Sequence, residues 1–141
     1  MAKMNISVLK GQAIENVAVI NDNAGKDEIV FTTGDGNVYR LYHEQGCCES
    51  VYIEDIAGDL ADLIGSPILN AEEVTHDNEN PKEITVIPND QADDMSGYDS
   101  FTWTFYKLST IKGSVTIRWY GVSTGYYSES VDFEQTEPRL N

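Results

Sequence analysis

Three runs near the end of the chain alternate apolar and polar residues with a period of two, and this constrains the fold more than anything else in the sequence. In FTWTFYKL (101–108), Phe101, Trp103 and Phe105 share one parity, and Thr102, Thr104 and Tyr106 share the other. In SVTIRWYG (114–121), Val115, Ile117 and Trp119 oppose Thr116, Arg118 and Tyr120, and YYSESVDF (126–133) brings Tyr127, Val131 and Phe133 onto one parity. Period two is the signature of strands with two different faces. The links 109–113 and 122–125 are of hairpin length, so the runs predict an antiparallel meander with one apolar face.

Upstream, VAVIND (17–22) predicts a short strand. EIVFTT (28–33), the turn residues Gly34-Asp35-Gly36-Asn37 and VYRLYH (38–43) predict a hairpin. In EDIAGDLADLIG (54–65), Ile56, Leu60, Leu63 and Ile64 fall at i, i+4, i+7 and i+8. That spacing predicts a short helix capped by Asp55, weakened at Gly58 and stopped at Gly65-Ser66-Pro67. PILNAEEV (67–74) reads as another strand. Residues 75–99 hold one apolar run, Ile84–Ile87, among acidic and turn residues, and read as a mobile acidic insert or a small edge hairpin. The expected fold is therefore α+β: an antiparallel sheet of about six strands with one or two short helices on one face. It forms a single domain over 1–141, with a core at about 13–134 and a frayed tail at 135–141.

The charge narrows the partners. Lys and Arg total 9 against 24 Asp and Glu, a formal net charge of −15. Such a field repels phosphates and anionic membranes, which disfavours direct nucleic-acid or lipid binding and suits a basic partner. No apolar run is long enough for a membrane span, and the first residues lack the apolar core of a signal peptide. The expected compartment is the cytoplasm, with reduced thiols.

The segment YHEQGCCESVYIEDI (42–56) crowds His43, Glu44, Cys47, Cys48, Glu49, Glu54 and Asp55 together. Adjacent cysteines diverge and no second His–Cys cluster exists, so neither zinc nor a Cys–His nucleophile is expected. No phosphate loop or paired-carboxylate motif appears either, so no catalytic residue, metal or cofactor is assigned. Binding remains. Arg118, Tyr120, Tyr126 and Tyr127 lie at or near strand ends, where aromatic rings and a guanidinium can stack a base and hold a phosphate. Arg40 shares Arg118's polar parity and is expected to join it in one pocket, within the chain or at a subunit boundary. His43, Glu44, Cys48 and Glu49, at the loop-to-helix joint, are expected to shape the same surface. The aromatic content of the last strands also predicts a homodimer or higher homo-oligomer.

The motifs YHEQ-x-CCESVYIEDIAGDLADLIGSPI, AEEV, TWTFYKL-x-TIKG-x-VTIRWYG and GYYSESVDF, spread over residues 28–134, resemble a family of small phage and prophage proteins classed as a domain of unknown function. The resemblance implies a phage protein in an infected bacterium, and by analogy of context one that counters host defence. Two mechanisms follow from that analogy. One is a sponge that sequesters a nucleotide-derived immune signal, such as a cyclic oligonucleotide or cyclic ADP-ribose. The other is an acidic inhibitor that blocks a basic host defence protein, such as a nuclease or CRISPR effector, by nucleic-acid mimicry. The sequence leans towards the sponge, because its firmest motifs are rigid elements suited to a preformed pocket.

Overall fold

The computed structural model describes residues 4–21, 26–91 and 97–136. The last residue of the first expected strand (22) and the three after it, part of the acidic insert (92–96) and most of the expected tail (137–141) lie outside the described residues. Among the described residues eight strands are present: β1 (Ile14–Asn21), β2 (Asp27–Thr33), β3 (Val38–Tyr42), β4 (Ser50–Ala57), β5 (Asn70–Asp77), β6 (Ser100–Thr110), β7 (Gly113–Ser123) and β8 (Asp132–Thr136). They form two antiparallel sheets, ordered β1-β2-β3-β8 and β4-β7-β6-β5. Ile29, Phe31, Tyr39, Leu41 and Phe133 from the first sheet share one core with Tyr106, Leu108, Val115, Ile117 and Trp119 from the second. The architecture is a two-layer β-sandwich. Helical structure among the described residues is limited to two four-residue 3₁₀ turns, Ile6–Leu9 and Leu60–Leu63. The α+β expectation is thus corrected to a mainly β fold, and none of the described helices is long and apolar enough to cross a membrane.

The expected helix fails for a specific reason. β4 pairs with β7 through Ile56↔Ile117 and Ala57↔Thr116, so the start of the helical stripe belongs to a strand. A bulge between Ile53 and Asp55 inserts one extra residue and leaves Ile53 and Ile56, three apart, both packed on the core. The helical stripe itself joins the end of β4 at Ile56 to the 3₁₀ turn Leu60–Leu63 and its cap Ile64, all packed on that core. Gly58 then turns the chain at φ +103°, where an added Cβ would lie 2.5 Å from the Ser114 carbonyl oxygen. Only glycine fits there. The remaining helical turn is capped by Asp59, not Asp55, its carboxylate accepting the Ala61 N–H at 2.9 Å.

The C-terminal strands differ from the one-sided meander. Facing pairs Trp103↔Tyr120 and Phe105↔Arg118 put Phe101, Trp103, Phe105, Tyr120 and Val122 on the outer face, opposite the shared core. That face is apolar too, and the acidic insert covers it. Asn78, in the left-handed region at φ 55°, redirects the chain beyond β5, and its side-chain oxygen accepts the Phe101 N–H at 3.0 Å. Trp103 Nε1 donates to Asn80 Oδ1 (2.8 Å), and Asn80 and Gln91 exchange two amide hydrogen bonds. Pro81 is buried and Ile84 packs on the cluster. The Tyr52 hydroxyl, pushed up to about 12 by burial and by the nearby Asp90 carboxylate, approaches Asp90 Oδ1 at 3.4 Å. The run 84–87 is therefore no edge hairpin, and residues 78–91 close a second hydrophobic layer. Gln135 and Thr136, expected in the tail, complete β8.

Candidate functional site

A cleft of about 380 Å³ opens where the core-side faces of β5 and β6 run beyond the shared core and meet the segment 127–131. The pairs Glu73↔Tyr106, Thr75↔Thr104 and Asp77↔Thr102 place alternate β5 residues beside alternate β6 residues on that side. At the floor lies Glu129, 8% exposed. Its carboxylate accepts the hydroxyls of Ser100, Ser123 and Thr102, the last at 2.7 Å. A buried carboxylate persists when such charge-assisted bonds replace its water. Gly121 permits the approach, since a Cβ there would come within 3.1 Å of Glu129 Cβ. Glu73, Asp77, Thr75, Ser128, Ser130 and Tyr127 complete the rim, and among the described residues no lysine, arginine or histidine lines the cleft. A concave, acceptor-rich site of one sign concentrates cations.

Behind the cleft stands a charged brace. The Glu49 side chain, 1% exposed, accepts the N–H groups of Gly46 (2.7 Å) and Cys47 (2.9 Å) and meets His43 Nε2 at 2.7 Å. Burial pulls its pKa upward, but the two N–H groups and His43 outweigh this and hold the carboxyl at about 2, against an ordinary 4.5. His43 Nδ1 donates to the Ser130 carbonyl at 2.6 Å, tying the brace to the cleft wall. A Cβ at Gly46 would lie 3.1 Å from the Tyr127 ring, so the 44–49 loop also abuts that wall. Cys47 and Cys48 are joined in a disulfide, which corrects the expectation of two free thiols.

The expected binding residues are dispersed. Arg40 alternates with the core residues Tyr39 and Leu41, so it points outward from the first sheet; there it pairs with Glu134 (2.7 Å) and Glu28 (3.7 Å) and lies over the Tyr42 ring. Arg118 points outward from the second sheet, to Glu54, to Asp55 at 3.8 Å and to the Trp103 face. The β4 bulge sets those two consecutive carboxylates against one guanidinium. Within one chain the two arginines lie on opposite outer faces, so the expected shared pocket does not form. Tyr120 is fully buried and its pKa is raised by burial. Tyr126 is 86% exposed and outside the cleft, with its ring on Tyr127, while Cys48 is exposed. Glu44 borders a separate hollow of about 280 Å³ beside Arg40, Tyr42 and Lys26. Of the expected set, Tyr127 lines the cleft, and His43 and Glu49 brace it. Sequence reasoning missed Glu129, Ser100, Ser123, Glu73 and Asp77. For Ser100, Glu73 and Asp77 the signal was the polar parity of β5 and β6, which reads as a solvent face unless the second sheet is known. Among the described residues, His, Cys, Asp and Glu form no group of three that could hold a metal ion.

A family model described as a domain of unknown function, DUF7448, matches residues 7–133, nearly the whole chain. The chain belongs to the DUF7448 family. That match includes the β5–β6 wall of the cleft, its Glu129 floor and the His43–Glu49 brace, so these are features of a DUF7448 domain and not of an appended segment. No curated protein and no solved structure matches the chain.

Proposed function

We propose that this protein is a non-catalytic, phage-borne binding protein that acts in the cytoplasm of an infected bacterium. It docks its acidic cleft on a basic host defence protein such as a nuclease. The observation that carries the reading is the cleft's lining: Glu73, Asp77 and Glu129 converge among hydroxyls, with no cationic side chain among the described residues that line it. Guanidinium and ammonium groups suit such a site, because carboxylates accept their N–H bonds in pairs while the hydroxyls adapt. The net charge of −15 would speed encounter with a basic surface. A nucleotide-derived signal would need Arg40 or Arg118, and both are held by carboxylates of the same chain. The phage setting rests on the motif resemblance alone.

Calorimetry tests the reading. An arginine-rich peptide, used as a probe for the basic surface, is expected to bind with an affinity that falls steeply as salt rises. A panel of cyclic dinucleotides and cyclic ADP-ribose isomers is expected to give no heat. Binding of any panel member at a site abolished by Arg118→Ala would overturn the proposal in favour of a signal sponge.

A further inference from the structure

Among the described residues four strands lie at sheet edges, and three are protected against pairing with another chain. β4 is bulged, and its Ile53 N–H is occupied by Asp27 Oδ2 at 2.7 Å. β5 carries Glu72, Glu73 and Asp77, and β8 carries Asp132 and Glu134. Bulges and charges are the ordinary means by which edges are blunted. β1 has neither after its first residues. The Ile14 carbonyl is taken by the Gly65 N–H at 2.9 Å, but no described residue bonds to the free side of the strand beyond it. The bulge at Ile14/Asn16 also lies at its start. From Asn16 to Asn21 the sequence is NVAVIN, six residues without a charge or a proline, and Val19 and Ile20 are each 46% exposed.

We infer that β1 is a homodimer interface: β1 of a second copy adds antiparallel to it, making one continuous eight-stranded sheet across a two-fold axis. Charge selects this occupant. A basic partner gains nothing from an uncharged strip on a molecule of net charge −15, whereas a second copy, repelled elsewhere, can approach closely only through such a strip. Self-pairing also satisfies the symmetry of an isologous contact. Directly opposed residues must point to the same side of a sheet. Val17 and Val19 share the parity of the core residues Phe31 and Ile29, and Ala18 and Ile20 take the other. The two-fold therefore passes through a residue position, Ala18 or Val19, so that valine meets valine on the core-side face. Main-chain bonds would give affinity and this strip of side chains the register.

Because like charges flank the interface, salt should tighten it, the opposite of the effect expected for a basic partner, so the two readings fail separately. Sedimentation equilibrium of the full chain at micromolar concentration is expected to give twice the 15.7 kDa chain mass, with the dimer fraction rising from low to molar salt. The double variant V19K/I20K should give the single-chain mass even though it lowers the net negative charge. Amide exchange in the unmodified protein supplies a second reading: protection of residues 16–20 should rise with protein concentration. A single-chain mass at every salt, a dimer loosened by salt, or exchange at 16–20 that ignores concentration would each overturn the inference.

Discussion

Replacing Trp103 by alanine will destabilise the protein by about 3–5 kcal/mol, the range for removing a fully buried indole. Trp103 is 0% exposed although it sits on the side of its sheet that faces away from the shared core. Its ring packs 4.4 Å from Tyr120, centroid to centroid, and its N–H holds Asn80. The variant loses that packing and also releases the Asn80–Gln91 pair that pins the insert. At roughly 3 °C per kcal/mol for a domain of this size, the melting temperature should fall by about 10 °C or more. Limited proteolysis should meanwhile begin within residues 78–91 before the sandwich opens. Val86, 78% exposed in the same segment, gives the contrast, since its alanine variant should stay within about 0.5 kcal/mol of the parent. A Trp103→Ala variant as stable as the parent would mean that the insert does not cover this face.

Glu49→Gln should cost about 2–4 kcal/mol at neutral pH, because the amide cannot accept both N–H groups while compensating His43. The effect depends on pH with a defined sign. The carboxyl is held at about 2 in the folded chain against an ordinary 4.5, so its contribution is complete above about pH 4.5 and is lost as the pH falls towards 2. Other carboxylates titrate over the same range, and only the difference between parent and variant isolates Glu49. In urea titrations at successive pH values, the two stabilities should converge on acidification. Parallel curves would show that Glu49 is not the anchor of the 44–49 loop.

The hairpin, the sequential pairing of the last long strands and the strand after Pro67 were legible because each depends on local alternation and turn chemistry. The second sheet was not. When both faces of a strand are covered, alternation still reports two faces but no longer says which one meets the main core. Phe101, Trp103 and Phe105 looked like that core and instead form the layer under the insert, while Tyr106 and Leu108 took the inner side. The end of β4 at Ile56 and the 3₁₀ turn Leu60–Leu63 together gave core residues at a spacing that mimics a helix. The site suffered the same limit. Arg118 and Arg40 were read correctly as facing away from the core, but parity cannot reveal that their faces lie on opposite sides of a sandwich. Glu129 had no local signal, since its partners Ser100, Thr102 and Ser123 come from two other strands.

The central claim is that the cleft, and not net charge alone, recognises a basic surface. Glu73→Gln/Asp77→Asn removes two rim charges and leaves the buried Glu129 intact. Glu15→Gln/Asp35→Asn removes the same charge from exposed positions outside the cleft. Calorimetric titration of both double variants with one arginine-rich peptide at one low salt concentration compares site with field. Two lost charge-assisted bonds, at about 1.5 kcal/mol or more each, predict at least a ~100-fold weaker affinity for the cleft variant. The control should weaken only slightly, and both melting temperatures should stay near the parent's. Equal weakening of the two variants would contradict the claim and leave the acidity as a general field without a site.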